Sequence, residues 1–291
     1  MRFLAHAMPG LGGLLREELG GTLESDGRND VVVFDGAVRL PRTAEDVFVQ
    51  IAESRTTRGL VTKGGLEHAL SVFANVVRPL RRNESFRVIA RVKNENTVKR
   101  TTFRDQIVSE VQHTRPKWHI ADPADIEIWA TQTGRNTWRS AVRLTRRQQR
   151  QNEREGALRP SVAAAMVRLA GGGGTLLDPC CGSGTILIEG RAAGWRAFGS
   201  DIEPEIAKQN GQPVVTADAR RLPFADDSFD AVVSNLPFGQ KFERVEGIKD
   251  DLLRVARRAV ILSPDVAQGI DIVLLGRPVK LAVLSREGRG A

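Results

Sequence analysis

The second half of the chain alternates short apolar runs with segments of helical character. Residues 175–177 form an apolar run bounded by glycines at 171–174, which predicts a short buried strand. The apolar residues from 186 to 193 predict a helix directly after it. Further strands are predicted at 197–200, 214–217, 229–234, 258–263, 271–275 and 280–285, and a further helix at 245–255. Strands alternating with crossover helices predict a seven-stranded α/β domain over residues 161–291.

The first half mixes strands and helices without that regular alternation. Strands are predicted at 3–7, 31–34, 38–40, 86–92, 126–131 and 138–144. Helices are predicted at 10–19, at 66–77 and within 99–112, where Thr101 or Thr102 is expected to be the N-cap. Thr43 is expected to cap one more helix, with Val47, Phe48 and Ile51 on its inner face. This order predicts α+β architecture.

The segment 178–185, DPCCGSGT, joins the first strand of the α/β domain to its first helix. Gly182 and Gly184 lie two residues apart in the predicted turn. Glycines allow close approach of a ligand to the backbone, and a helix N-terminus attracts negative charge. A strand, glycine turn and helix in this order therefore predict a ligand site.

Polar residues follow the predicted strands at their carboxyl ends. Asp178, Asp201, Asp218 and Asn235 each come at or directly after one of four successive strands. Asp201 lies 23 residues after Asp178, about the spacing at which nucleotide-binding folds place a carboxylate for ribose hydroxyls. Open α/β sheets bind ligands at this edge. The alternative, that each aspartate only caps the next helix, is less plausible for three successive strand ends.

Four motifs occur in order: DPCCGSGT, GSDI (199–202), ADARRLPF (217–224) and NLPFG (235–239). Together they resemble the motif series of S-adenosylmethionine-dependent amino-methyltransferases. The resemblance implies a Rossmann-like fold and S-adenosylmethionine as cofactor. The cofactor-binding residues that it implies are Ser161, Asp178, Cys180, Gly182, Gly184, Thr185, Asp201, Ile202, Asp218, Ala219 and Asn235.

The NLPF motif is the predicted catalytic element, comprising Asn235, Leu236, Pro237 and Phe238. The Asn235 side-chain carbonyl and a backbone carbonyl at Leu236 or Pro237 are two acceptors for the hydrogens of an exocyclic amine. Phe238 is expected to stack on the base, which is flipped into the pocket. Leucine at 236 resembles a guanine-directed branch of the family. The alternative is an ordinary exit from strand to turn.

Positive charge is concentrated ahead of the α/β domain. Residues 1–160 hold 27 Lys and Arg against 19 Asp and Glu, whereas residues 161–291 hold 16 of each. This imbalance favours nucleic-acid binding by the first half over a general arginine bias. Candidate phosphate-binding residues are Lys99, Arg100 and Arg104 at a helix start, and Arg146, Arg147, Arg150 and Arg154 in a polar connector. The alternatives are a solvated helix entrance and an exposed linker.

The middle of the chain resembles a THUMP domain, an RNA-binding module. The predicted domains are a ferredoxin-like unit at 1–55, a THUMP-like unit at 56–145, a basic linker at 146–160 and the methyltransferase domain at 161–291. The resemblance implies a tRNA (guanine-N2) methyltransferase that holds tRNA by its single-stranded 3′ end and acceptor stem. The alternatives are an enzyme acting on rRNA guanosine or on adenine in RNA or DNA, and a non-catalytic RNA-binding subunit.

Other features narrow the class of protein. The longest apolar runs are too short to span a membrane, and no signal peptide is indicated, so a cytoplasmic location is expected. The four histidines show no metal-ligand spacing, so no metal is expected. Pro179-Cys180 resembles the nucleophile pair of cytosine methyltransferases, but it lies in the cofactor-facing turn. Both cysteines are therefore interpreted as small packing residues.

Overall fold

A computed structural model of the chain describes residues 1–25, 29–93, 98–145, 157–237, 246–274 and 276–286. The chain divides into two compact units. The first holds residues 1–8 and 12–148, and the second holds residues 149–291 with the short segment 9–11.

The first unit forms one mixed sheet with three helices in its described residues. Its elements in chain order are β1 (Arg2–Ala7), α1 (Gly12–Leu19), β2 (Thr22–Ser25), β3 (Asp30–Asp35), β4 (Asp46–Ser54), α2 (Lys63–Val76), β5 (Ser85–Arg91), α3 (Arg100–Thr114), β6 (His119–Ile120), β7 (Ile126–Gly134) and β8 (Thr137–Arg143). The strand order is β2-β3-β1-β4-β8-β7-β5-β6. The short strands β2 and β6 were not among the sequence predictions.

Strand β4 replaces the helix that was predicted after Thr43. It pairs antiparallel with β1 on one side and with β8 on the other. Val47, Phe48 and Val49 are all buried, because a central strand is covered on both faces. The alternation typical of a strand is then lost, and the apolar run looks helical in sequence. The prediction of a strand at 38–40 was also wrong, since these residues are exposed and outside any strand.

The same sheet continues across the domain boundary predicted between residues 55 and 56. β4 lies before that boundary and pairs with β8, which lies after it. Helix α3 begins at Arg100, with Lys99 at its N-cap position and no side-chain cap bond, so the N-cap lies two residues before Thr101, the first of the two predicted caps. Its inner residue Phe103 packs on Trp138 of β8, with ring centroids 4.7 Å apart.

The second unit forms a sheet of the expected seven strands in its described residues. Its elements are α4 (Pro160–Ala170), β9 (Thr175–Asp178), α5 (Thr185–Ala192), β10 (Arg196–Asp201), α6 (Glu205–Gln209), β11 (Val214–Thr216), β12 (Ala231–Asn235), α7 (Glu246–Val255), β13 (Arg258–Ser263), β14 (Ile270–Leu274) and β15 (Arg277–Ser285). Pro160 occupies the first turn of α4, where its missing N–H costs nothing.

The strand order in the second sheet is β11-β10-β9-β12-β13-β15-β14. The first five strands of this order are mutually parallel, and β15 pairs antiparallel with both neighbours. The order reverses direction between β9 and β12. Because ligands bind outside the carboxyl ends of strands at such a switch point, Asp178 and Asn235 lie where a ligand site is expected.

The core of the second unit packs around this switch point. Leu176 and Leu177 of β9 and Val232 of β12 are fully buried. On one side of the sheet, Leu177 and Val232 form a continuous apolar cluster with Leu252 of α7. No helix in the described ranges is long and apolar enough to cross a lipid bilayer.

Candidate active site at the strand switch point

The glycine turn after β9 has the backbone geometry that its sequence predicted. Gly182 and Gly184 have φ angles of +52° and +86°, which side-chain-bearing residues rarely adopt. Gly184 is the N-cap of α5, and its N–H donates to the Cys181 carbonyl at 2.7 Å. The Cys181 N–H in turn donates to the Ser200 carbonyl of β10 at 3.0 Å. The turn is therefore fixed to the neighbouring strand.

The two glycines leave room on different sides. A Cβ added to Gly182 would meet no described atom within 4 Å, so this position is open towards a ligand. A Cβ added to Gly184 would lie 2.7 Å from Cγ of Gln212. The sequence prediction gave both glycines the same role. The structure shows that the missing side chain of Gly184 accommodates Gln212.

Asp178 ends β9 and is almost completely buried. Its Oδ1 accepts hydrogen bonds from the Ser234 hydroxyl at 2.8 Å and from the Cys180 N–H at 3.2 Å. Burial raises the pKa of this carboxyl to about 7, and the nearby Asp201 carboxylate adds to that effect while the two hydrogen bonds oppose it. A carboxyl with a pKa of about 7 changes between its neutral and its charged form near neutral pH.

Asp201 ends β10, the next strand of the sheet. Its Oδ2 accepts from the Gly182 N–H at 2.8 Å, and its Oδ1 accepts from the Glu203 N–H at 2.9 Å. This carboxylate therefore links the glycine turn to the loop after β10. Each oxygen has a further lone pair, so the group is able to accept from two hydroxyls of a ligand as well.

A cavity of about 150 Å³ opens between the glycine turn and the end of β12. The residues that line it are Ala157, Leu158, Asp178, Cys180, Cys181, Gly182, Ser183, Thr185, Ile186 and Asn235. The side-chain oxygen of Asn235 is buried there and has no hydrogen-bond partner among the described residues. An unpaired buried acceptor is energetically costly, so this oxygen is a candidate acceptor for a hydrogen bond from a ligand.

Leu236 and Pro237 of the NLPF motif are not among the residues that line the cavity. Leu236 is 1% exposed and its side chain belongs to the core cluster with Leu177 and Leu252. Its N–H donates to the Leu262 carbonyl at 3.2 Å, which continues the β12–β13 pairing. Because its side chain and its N–H are both engaged, Leu236 has its carbonyl left to offer to a ligand. Pro237 is half-buried, and Phe238 lies outside the described residues.

Six predicted cofactor residues do not line this cavity: Ser161, Gly184, Asp201, Ile202, Asp218 and Ala219. Asp218 is bonded instead by Arg220, whose Nη2 lies 2.6 Å from Oδ2, and this hydrogen bond lowers the Asp218 pKa. Ala219 is buried in the core cluster. Ser161 is buried in the first turn of α4, and the residues before that helix, Ala157 and Leu158, reach the cavity in its place. Ile202 is 57% exposed beside Asp201.

Both cysteines are free and belong to the glycine turn. Burial is the main cause that raises the pKa of each thiol well above its ordinary value, and the Asp178 and Asp201 carboxylates add to it. A neutral thiol is a poor nucleophile. This environment supports the interpretation of both residues as packing residues.

Sequence reasoning missed the residues that support the turn from outside. Ser234 bonds Asp178, Asn210 donates from Nδ2 to the Ser183 carbonyl at 3.0 Å, and Gln212 donates from Nε2 to the Asn210 carbonyl at 2.8 Å. Ser234 carried one signal, since it is a hydroxyl residue inside an apolar strand and directly precedes Asn235. The other two lie in a loop without a motif.

The predicted phosphate-binding residues of the first unit lie on its surface. Lys99, Arg100 and Arg104 are exposed at the start of α3. Arg104 donates to its neighbour Asp105 at 2.9 Å, so its charge is partly balanced. The other candidates, Arg146, Arg147, Arg150 and Arg154, lie outside the described residues.

The glycine turn lies in a region that is similar to a known protein family. Residues 147–208 match the model described as "UPF0020: RMKL-like, methyltransferase domain". This match covers 62 of the 291 residues, so it shows similarity to a methyltransferase domain over about a fifth of the chain. A domain of this class uses S-adenosylmethionine, the cofactor that the motif series implied. The matched region includes Ala157, Leu158, the glycine turn and the start of α5, which line the cavity.

Curated relatives match a part of the chain. A tRNA (guanine(10)-N2)-dimethyltransferase of Methanothermobacter thermautotrophicus is 38% identical over 96 residues, which is 29% of this chain and 28% of that protein. The U6 snRNA (guanine-N(2))-methyltransferase THUMPD2 of Bos taurus is 31% identical over 126 residues, which is 36% of this chain and 25% of that protein. The chain therefore aligns with about a quarter of the length of these relatives.

A solved structure matches the whole chain. The structure of TrmN from Thermus thermophilus has a TM-score of 0.73 and 22% identity, and the match covers 98% of this chain and 99% of that one. This likeness shows that the two proteins share their fold. The predicted fold class, a Rossmann-like sheet preceded in the sequence by an α+β unit, is confirmed.

Proposed function

We propose that the chain transfers a methyl group from S-adenosylmethionine to the exocyclic amine of a guanosine in tRNA. The observation that carries this proposal is the buried side-chain oxygen of Asn235. It lacks a partner among the described residues and shares one cavity with Asp178 and the glycine turn. An acceptor beside a cofactor pocket suits a substrate that offers an N–H.

The residues around the cavity fit S-adenosylmethionine. Asp178 supplies a carboxylate for the ammonium of its methionine part, and Gly182 leaves open space beside it. Asp201 retains lone pairs for the ribose hydroxyls, and Ile202 offers an exposed apolar side chain at the adenine end. Asp218 is assigned to the adenine amine, for which it must share its bonds with Arg220. When bound, the cofactor supplies an electrophilic methyl group on sulfur.

Asn235 orients the amine that is methylated. An exocyclic amine of a base is a poor nucleophile because its lone pair is delocalised into the ring. The Asn235 oxygen accepts one amine hydrogen, and the carbonyl of Leu236 accepts the other. Pro237 holds Leu236 in an extended conformation, which directs that carbonyl. Both bonds turn the lone pair towards the methyl group, so catalysis is mainly positioning.

The base has to leave its stack to reach this pocket. Flipping a nucleotide costs a few kcal/mol, least for an unpaired base. Stacking of the flipped base on an aromatic ring recovers part of that cost. Phe238, which directly follows Pro237 in the sequence, is the aromatic residue of the motif. Phe238 is therefore assigned to the base.

The tRNA part of the proposal is supported by the relatives and by charge. The curated relatives named above methylate guanine at N2 in tRNA or in U6 snRNA. The net positive charge of the chain lies within residues 1–160. We assign that region to the 3′ single-stranded end and acceptor stem of tRNA, with contacts from Lys99, Arg100, Arg104 and the arginines of the 146–154 connector.

The test is methyl transfer from radiolabelled cofactor to unmodified tRNA, followed by nucleoside mass spectrometry. The wild-type chain is expected to form N2-methylguanosine. Asn235→Ala is expected to lower the rate at least a hundredfold, the loss typical for a group that acts only in the transition state. Its affinity for S-adenosylhomocysteine should change less than tenfold, which shows that the pocket remains folded.

The other outcomes separate the alternatives. Methyladenosine as product would keep the mechanism and overturn the guanine assignment. Methylation of rRNA or DNA in preference to tRNA would overturn the substrate. Retained S-adenosylhomocysteine binding without transfer to any of these nucleic acids would favour a non-catalytic RNA-binding subunit. A cytoplasmic location stays a prediction.

A further inference from the structure

Ser234 joins the two strands on either side of the switch point. Its hydroxyl donates to Oδ1 of Asp178 at 2.8 Å, across 56 residues of sequence. Both side chains are buried, with 0% of Ser234 and 1% of Asp178 exposed. Ser234 also directly precedes Asn235, the proposed acceptor for the substrate amine. One hydroxyl thus links the cofactor-facing carboxylate to the strand that presents the substrate-facing amide.

The bond pattern of Asp178 leaves one oxygen for a ligand. In the described residues, the Ser234 hydroxyl and the Cys180 N–H both bond Oδ1. Because Asp178 lines the cavity, its second carboxylate oxygen, Oδ2, is the one that is left to bond a ligand there. Among the described residues, the Asp201 carboxylate is the charged group that acts on Asp178. Its negative charge and the burial of Asp178 both disfavour ionisation of the Asp178 carboxyl. The neighbouring thiols of Cys180 and Cys181 are neutral.

We propose that Ser234 is a positioning residue for cofactor binding, which holds the Asp178 carboxylate ionised and turned with Oδ2 towards the ammonium of S-adenosylmethionine. This inference rests on the proposed function of the site. The hydroxyl opposes the two effects that disfavour the charged carboxylate. Without it, one backbone N–H remains to support that charge.

The chain offers a closely matched control residue. Ser200 directly precedes Asp201 at the carboxyl end of β10, as Ser234 precedes Asn235 at the end of β12. It too is 0% exposed. Its hydroxyl, however, has no hydrogen-bond partner among the described residues. Ser200→Ala therefore removes a hydroxyl of the same burial and strand position without removing a bond.

The experiment measures ligand affinity of the full chain by calorimetry between pH 6 and pH 8.5. One ligand is S-adenosylhomocysteine, which carries the ammonium, and the other is 5′-methylthioadenosine, which lacks the amino-acid part. Ser234→Ala is expected to weaken S-adenosylhomocysteine binding about threefold to tenfold at pH 7. The fall in affinity towards acid pH should begin at a higher pH than in the wild type. Affinity for 5′-methylthioadenosine should be unchanged.

Two further variants complete the test. Ser200→Ala should match the wild type with both ligands, and Ser234→Thr, which keeps the hydroxyl, should restore the pH profile. The ligand amine titrates in the same way in every comparison, so it does not produce a difference between variants. Equal weakening of both ligands by Ser234→Ala would overturn the proposal, because it would indicate a structural defect.

The remaining outcomes distinguish this inference from the proposed function. A Ser234→Ala profile that coincides with the wild type would refute the role of Ser234 and leave the proposed function intact. If the wild-type chain binds neither ligand, the cofactor assignment itself fails, and the inference about Ser234 fails with it.

Discussion

The two units of the chain bury charge in different ways. In the first unit, buried carboxylates have arginine partners: Glu84 is fully buried and bonded by Arg78 at 2.8 and 2.6 Å. In the second unit, Asp178 is equally buried, and its described partners are a hydroxyl and a backbone N–H. The pKa of Glu84 is lowered mainly by its bond to Arg78, whereas burial raises that of Asp178 to about 7.

This difference distinguishes a carboxylate that stabilises the fold, Glu84, from one that is placed to bind a cationic ligand, Asp178. An ion pair with satisfied hydrogen bonds is stable by itself, and breaking it leaves an uncompensated charge. A buried carboxylate without a cation is costly, and it becomes favourable when a ligand supplies the cation. The comparison predicts that substitutions in the first unit lower stability and that those at the switch point lower ligand affinity.

The largest expected effect is on stability. Glu84→Ala should lower the free energy of unfolding by about 2–3 kcal/mol, because it removes the buried carboxylate that bonds Arg78 twice, although Arg78 keeps Asp125 at 3.2 Å. Since its folded pKa is lowered, Glu84 contributes stability at neutral pH that is lost as pH falls through that lowered pKa. Denaturant unfolding at pH 7 and at acid pH measures both. Cofactor affinity should remain unchanged.

A surface pair in the same unit provides the control. Arg2 and Asp35 lie 3.7 Å apart with side chains 49% and 63% exposed, so Asp35→Ala should change stability by less than about 1 kcal/mol. Equal losses for Asp35→Ala and Glu84→Ala would contradict the role assigned to burial.

The next effect is on cofactor affinity. Asp201→Ala should weaken S-adenosylhomocysteine binding about tenfold to a hundredfold, because it removes an acceptor for the ribose and releases the Gly182 N–H. Asp218→Ala should cost less, since the Asp218 carboxylate is already bonded by Arg220. Calorimetry on both variants measures the difference. A greater loss for Asp218→Ala would assign the main cofactor contact to the end of β11.

A smaller effect is expected on RNA binding. The tRNA affinity of the full chain should fall with salt, with a logarithmic slope that reflects the number of phosphate contacts. Replacing both Lys99 and Arg100 by alanine should reduce that slope by about 1.4–1.8 units. Lys63→Ala is the control, because Lys63 is an exposed lysine at the start of another helix of the same unit. Filter binding between 50 and 300 mM salt measures these slopes. Equal slopes for the wild type and the double variant would indicate that the start of α3 does not contact RNA phosphates.

The smallest effect is expected at Cys180. Cys180→Ala should retain methyl-transfer activity within about threefold, because a buried thiol with a raised pKa supplies no thiolate. Single-turnover transfer to tRNA measures it. Lost turnover with intact cofactor binding would make Cys180 a nucleophile and overturn its interpretation as a packing residue.

The sequence predicted the second unit more accurately than the first. Its seven strands and its glycine turn were found because alternating apolar runs and glycines depend on neighbouring residues. In the first unit, β4 was mistaken for a helix, because a strand buried on both faces loses its alternation. Thr43, the predicted cap, instead donates its hydroxyl to Glu18, a contact that sequence spacing does not reveal.

The sequence alone determined where the glycine turn lies and which polar residues end the strands, since both are local features. The tertiary structure decided which of those residues meet. Strand order places β12 beside β9, which joins Ser234 to Asp178 and brings Asn235 to the same cavity, while Asp218 turns to Arg220 and Leu236 enters the core. Such contacts depend on how strands separated by many residues pair, and that pairing follows from packing of the whole sheet.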